Sequence, residues 1–134
     1  MRRKIFLGIL LIIYSIMIFI FSSRPETGIG QYFYGQDKVM HFTVYGIHAL
    51  LGLLTLSDKK ILLTLTPYFL ALILSVFYGI FNEIYQYFIP ERTFSLGDIL
   101  ANSLGIITFL ILAYIFQVKK LKGKLSCLAR KFTF

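Results

Sequence analysis

Four apolar runs divide the chain, each long enough to cross a bilayer. The first, Ile5 to Phe21, carries no charge and follows Met1, Arg2, Arg3 and Lys4. The second runs from Val39 to Leu56, the third from Pro67 to Phe88, and the fourth from Leu96 to Phe116. A membrane helix needs about 20 mostly apolar residues, so all four qualify. Thr66-Pro67 marks the start of the third, because proline suits a first helical turn, and Pro90 stops it. The stretch from Ile61 to Leu65 either lies in the interface or lengthens that helix. The pattern predicts an all-α chain, an integral membrane four-helix bundle forming one domain over residues 1–134.

Composition agrees. Of 134 residues, 57% are hydrophobic and 15% charged, against about 25% charged in an ordinary soluble domain. A disordered chain needs the opposite balance. The first run is longer than a signal-peptide core and no small-x-small site follows it, which favours an uncleaved anchor.

The net charge is +8. Lysine and arginine gather in short clusters between the apolar runs, as membrane flanks do, and not as a nucleic-acid surface. With the N-terminus in the cytoplasm, the inner segments hold Arg2, Arg3, Lys4, Lys59, Lys60, Lys119, Lys120, Lys122, Lys124, Arg130 and Lys131. The outer loops hold only Arg24, Lys38 and Arg92. This bias predicts a cell-membrane protein with both termini cytoplasmic. The single cysteine, Cys127, forms no internal disulfide and is expected to be an unremarkable tail residue, not an acylation site. The basic tail, residues 119–134, is expected to rest on anionic lipid. In the outer loop from Ser22 to Gln36, Gly28, Gly30 and Gly35 suggest flexibility, and Tyr32, Phe33 and Tyr34 suit the interface.

The polar residues fall unevenly on this topology. Asp37 and His41 open the second helix, Glu83 and Gln86 lie near the end of the third, Arg92 is in the short loop, and Ser95, Asp98 and Asn102 open the fourth. All collect at the expected outer face. At 100° per residue, Asp37, His41, Tyr45 and His48 form one stripe. Ser75, Gly79, Asn82, Glu83 and Gln86 form a second, and Ser95, Asp98, Asn102 and Gly105 a third. An ionisable group in hydrocarbon is costly, so the stripes should face one another around a polar pocket between helices two, three and four. Gly79 and Gly105 would let backbones approach there.

Each residue also has a plainer account. Ser95 and Asp98 have capping-box spacing, and Asp37 could cap the second helix. Asn102 could be interhelical glue. His41 and His48 could be satisfied buried imidazoles, His48 near mid-membrane above all. Arg92 could anchor to headgroups. Glu83 lies inside the third helix, away from either cap, and needs a partner, with Arg92, His41 and Lys38 as candidates. A structural ion pair is its plain alternative.

Taken together, Ser22-Ser23-Arg24-Pro25, Asp37-Lys38-x-x-His41-Phe42-x-x-Tyr45, Glu83-x-x-Gln86, Pro90-x-Arg92, Ser95-x-x-Asp98 and Asn102-x-x-Gly105 resemble the VanZ-like family. The resemblance covers the chain from Phe21 to Phe109. One departure is Phe109, where members often carry a further glycine, and it puts close packing at that point in question. The resemblance implies a small multi-pass membrane protein of the cell envelope, in a family named for a protein linked to teicoplanin resistance.

Three function classes follow. A binding protein would hold an envelope amphiphile, either a lipoglycopeptide or a lipid-linked wall precursor. Arg92 and Lys38 would meet phosphate or carboxylate, with Tyr45 among the wall residues. An enzyme on a lipid-linked substrate would use His41, Glu83 and Asp98 for acid–base work and Arg92 against a phosphate-like charge. Asp37, Lys38, Tyr45, Gln86, Ser95 and Asn102 would form the supporting shell. No G-x-S-x-G elbow is present and Cys127 lies on the wrong side. Asp37, His41, Glu83 and Asp98 offer oxygen and nitrogen ligands, but no H-E-x-x-H spacing occurs, and neither a metal nor another cofactor is expected. A proton-coupled carrier would relay through Glu83 and His48, against which stand the few helices and the apolar inner half. Glu83→Gln separates the first two classes, weakening a binder and abolishing an enzyme, and a vesicle flux assay tests the third.

Overall fold

The computed structural model describes residues 2–24, 33, 35–57, 64–90 and 92–131, with side chains as far as residue 123. It holds four helices: α1 (Arg2–Ser22), α2 (Gln36–Leu56), α3 (Thr66–Gln86) and α4 (Leu96–Lys131). No strand occurs among the described residues. All four helices are long and apolar enough to cross a membrane. At 1.5 Å per residue, the 21 residues of each of α1, α2 and α3 span about 32 Å, close to a hydrocarbon core of about 30 Å.

The boundaries differ from the sequence pattern where polar residues still make good helix. α2 begins at Gln36, three residues before the apolar run, because Gly35 precedes it with φ 83°. That left-handed conformation suits glycine. Asp37 therefore sits inside the first turn and makes no side-chain cap bond, so it does not cap α2, although its charge there favours the helix dipole. α3 begins at Thr66 with Pro67 in its first turn and ends at Gln86, short of Pro90. Thr64 and Leu65 lie outside the helix, while 61–63 fall outside the described residues. So do Pro25, Gly28, Gly30, Tyr32 and Tyr34 of the long loop, Lys59 and Lys60. α4 continues past Phe116 to Lys131. Lysine, leucine and glutamine are good helix formers, so the rise in charge ends the apolar stretch without ending the helix. The segment expected as a separate tail is largely its continuation.

α2 is the central helix and packs on all three others, most extensively on α4. α1 leans on α2 and touches α3 only lightly. The core is formed by Ile18, Tyr45, Ala49, Leu53, Tyr68, Ala71, Ile106 and Leu110. Outward positions such as Ile5, Phe6, Phe69, Phe77, Leu100 and Phe116 are exposed apolar side chains, as expected where lipid is the solvent.

The α2–α4 contact is tight for an identifiable reason. A Cβ on Gly105 would collide with the Phe42 backbone carbonyl. One turn further, a Cβ on Gly46 would lie 2.5 Å from the Phe109 ring, which also meets Phe42 edge-on at 6.0 Å. Phe109 therefore does not loosen the interface. Its bulk on α4 is received by a glycine on α2. Gly79 acts differently from Gly105: a Cβ there would lie 3.3 Å from the Tyr45 ring and 3.4 Å from Asn102 Nδ2, so it makes room for side chains, not for a neighbouring backbone.

Candidate functional site

The three polar stripes converge. Ser75, Gly79, Asn82, Glu83 and Gln86 are all buried on α3, as are Tyr45 and His48 on α2 and Asp98, Asn102 and Gly105 on α4. At the end where α2 and α4 begin and α3 finishes, their ionisable groups form one cluster.

The cluster is organised by the start of α4. Ser95 caps it, its Oγ accepting the Asp98 backbone N–H at 3.3 Å. In a full capping box the acid three residues on would return to the Ser95 N–H. Here that N–H donates instead to Glu83 Oε1 at 2.7 Å, so a carboxylate on α3 completes the cap of α4. This is the partner of Glu83, in place of the side chains expected from sequence. Glu83 is 1% exposed, and Asp98, His41 and Asp37 lie within electrostatic reach of it.

Asp98, released from capping, turns to α2. Its Oδ1 accepts from Lys38 Nζ. Lys38 also donates to Asp37 Oδ2 at 3.3 Å and to Ser95 Oγ at 3.4 Å. Gly97 makes this reach possible, since a Cβ there would press on the Lys38 stem at 3.2 Å. His41 Nδ1 lies 3.0 Å from Asn102 Oδ1; the amide oxygen can only accept, so Nδ1 is the donor. His41 Nε2 then faces Asp37 Oδ1 at 3.4 Å and Asp98 Oδ2 at 4.0 Å. The His41 ring is parallel to Tyr45 at 6.3 Å. Asp37, His41 and Asp98 present three potential metal-ligand atoms within 4.8 Å of one another. Behind them, Asn102 Nδ2 and Asn82 Oδ1 are buried without a hydrogen-bond partner among the described residues.

Two expected members face elsewhere. Gln86 donates to the Ser22 hydroxyl at the end of α1. Arg92 Nε donates to the Arg24 carbonyl at 3.0 Å, while the Arg24 guanidinium lies over the Phe21 ring at 5.1 Å. Both residues therefore tie the α3 end of the bundle to α1.

His48, seven residues further along α2 than His41, belongs to a second polar layer. Its Nδ1 is 3.0 Å from Ser75 Oγ and its Nε2 is 3.1 Å from Ser15 Oγ. The Tyr78 ring stacks on it at 4.9 Å, and Tyr14 donates to the Val44 carbonyl at 3.2 Å. The contribution of α1 to this layer escaped the sequence stripes. A signal was present: Tyr14 and Ser15 are the only hydroxyl-bearing side chains between Ile5 and Phe21, at the middle of that run.

The protein-family comparison matches a model described as VanZ/LLP1 over residues 5–117. No curated protein and no solved structure matches the chain.

Proposed function

The chain belongs to the VanZ/LLP1 family, and from that premise we propose that this multi-pass membrane protein binds the polar head of an envelope amphiphile at the outer leaflet. The amphiphile is a lipid-linked wall precursor or a lipoglycopeptide of the teicoplanin kind. One observation carries the proposal. Lys38, His41, Glu83 and Asp98, from three helices, meet at one end of a bundle that is otherwise coated with apolar side chains. Ionisable groups gathered inside a membrane bundle are expensive and are generally kept for function. Support comes from the open donor on Asn102 and the open acceptor on Asn82, which suit the hydroxyl and amide groups of such a head. The excess of lysine and arginine in the other segments supports an orientation with this end outside and both termini in the cytoplasm.

One detail favours an enzymatic variant of the same reading. Asn102 fixes the His41 ring so that Nε2 faces two carboxylates, the arrangement that sets a histidine up for proton transfer. In that variant Glu83, His41 and Asp98 act on the bound head as hydrolytic or transfer groups.

One experiment separates the variants. Membrane lipids and wall precursors are profiled by mass spectrometry in cells carrying wild type, Glu83→Gln at equal membrane level, or empty vector. A species whose mass changes only with wild type makes the protein an enzyme on that species. Identical profiles, with teicoplanin susceptibility altered by wild type and less so by Glu83→Gln, make it a binder; identical profiles and identical susceptibility overturn both. Orientation is tested at Cys127, the single cysteine: a membrane-impermeant maleimide should label it only after permeabilisation.

A further inference from the structure

We propose that Asp37, His41 and Asp98 form a binding site for one divalent transition-metal ion, manganese or zinc. The facing atoms are His41 Nε2, Asp37 Oδ1 and Asp98 Oδ2, with the imidazole nitrogen 3.4 and 4.0 Å from the two oxygens. Both separations exceed the about 2.7–2.9 Å of a charge-assisted hydrogen bond. They match the spacing of ligands around a common ion, since atoms each about 2.0–2.2 Å from a cation lie about 3–4.4 Å from one another.

The outer contacts point the same way. Each carboxylate gives its other oxygen to Lys38, Asp37 through Oδ2 and Asp98 through Oδ1, which turns Oδ1 and Oδ2, respectively, toward His41. Asn102 takes the Nδ1 hydrogen, leaving the Nε2 lone pair for a ligand in the neutral ring. This is how an outer partner usually orients a metal-bound histidine. Asp98 is only 7% exposed, and its Oδ2, aimed into the site, has no hydrogen-bond partner among the described residues. A carboxylate oxygen left so is free to ligate a cation. The mixture of one imidazole and two carboxylates suits manganese or zinc better than calcium or magnesium, which prefer oxygen alone. Asp37 is the most open of the three, its side chain 37% exposed. The remaining coordination positions thus lie on the accessible side, for water or an anionic oxygen.

The site does not depend on the amphiphile reading, and its test uses no functional assay. The full chain is purified in detergent, stripped with chelator and titrated with Zn²⁺ or Mn²⁺ by calorimetry. The expected result is one ion per chain, lost in His41→Ala and in Asp98→Asn, and about 10-fold weaker in Asn102→Ala. A second readout needs no variant of the site. The chain has two histidines, and in histidine-selective nitrogen NMR Zn²⁺ should shift Nε2 of His41 and leave His48 in place. No binding by wild type overturns the proposal. So does binding that His41→Ala and Asp98→Asn leave intact, an adventitious ion only, or a shift at His48 in place of His41. If the variants misfold, the wild-type NMR titration decides alone.

Discussion

His41 and His48 lie on the same face of α2, two turns apart, and their neighbourhoods have little in common. Around His41 stand two carboxylates and an amide, with the Lys38 ammonium bridging the two acids. Around His48 stand two serine hydroxyls and stacked tyrosine rings. The first neighbourhood takes its groups from both ends of charge, and one edge reaches the surface. The second is neutral, and His48 is 5% exposed. A neutral hydroxyl–imidazole layer has every reason to hold helices together and little capacity to recognise an anion or move a proton. The charged end has that capacity and pays for it in desolvation. The same residue type thus sits in a neutral, cohesive layer in one place and in a charged cluster in the other, and the difference lies in its partners.

That contrast can be broken or sharpened by substitution. The largest expected effect is on activity at the charged end. On the enzymatic reading Glu83→Gln should reduce it by about 100-fold, the scale of a lost acid–base group, and on the binding reading it should only weaken the effect, while in both the protein still inserts and unfolds near the wild-type temperature. A variant that simply fails to accumulate would erase the contrast. Next comes the neutral layer. His48→Leu should cost about 2 kcal/mol of stability, from two interhelical hydrogen bonds of about 0.6 kcal/mol each and a ring stack of about 1 kcal/mol. Activity per inserted molecule should stay unchanged. Unfolding in detergent together with the lipid or susceptibility assay checks both halves. A smaller effect is expected between the two regions, where Gly46 receives Phe109. Gly46→Ala should be destabilising alone and milder beside Phe109→Val, with a coupling of about 1 kcal/mol in a double-mutant cycle. The smallest belongs to Ser95→Ala. Removing a cap hydroxyl costs about 1 kcal/mol, but the Ser95 N–H keeps its bond to Glu83, so about 0.5–1 kcal/mol is expected in the same unfolding measurement.

Much of the fold was legible because the signal was strong. Long apolar runs bounded by charge and proline place four helices with boundaries displaced by only a few residues, except at the far end of α4. There the drop in hydropathy masked good helix formers. The charged end was also legible in outline, since helical phase alone brings Asp37 under His41 and Ser95 beside Asp98. What phase does not carry is the partner. The bond from Ser95 to Glu83 uses a backbone N–H, which every residue but proline has and no side chain advertises. Gln86 has the same phase as Glu83 yet bonds Ser22 on α1, because the end of α1 reaches it first. The exchange of bulk between Phe109 and Gly46 depends on which turns of two helices meet, and a single sequence does not state that.

α4 extends over 36 residues, about 54 Å at 1.5 Å per residue, against a hydrocarbon core of about 30 Å. Asp98 is in its first turn, and Lys119, Lys120 and Lys122 are exposed on its far portion. α4 is therefore one continuous rod, held by Asp98, Asn102 and Gly105 against α2 at its start and carrying its exposed lysines from about 32 Å further on, roughly one hydrocarbon thickness away.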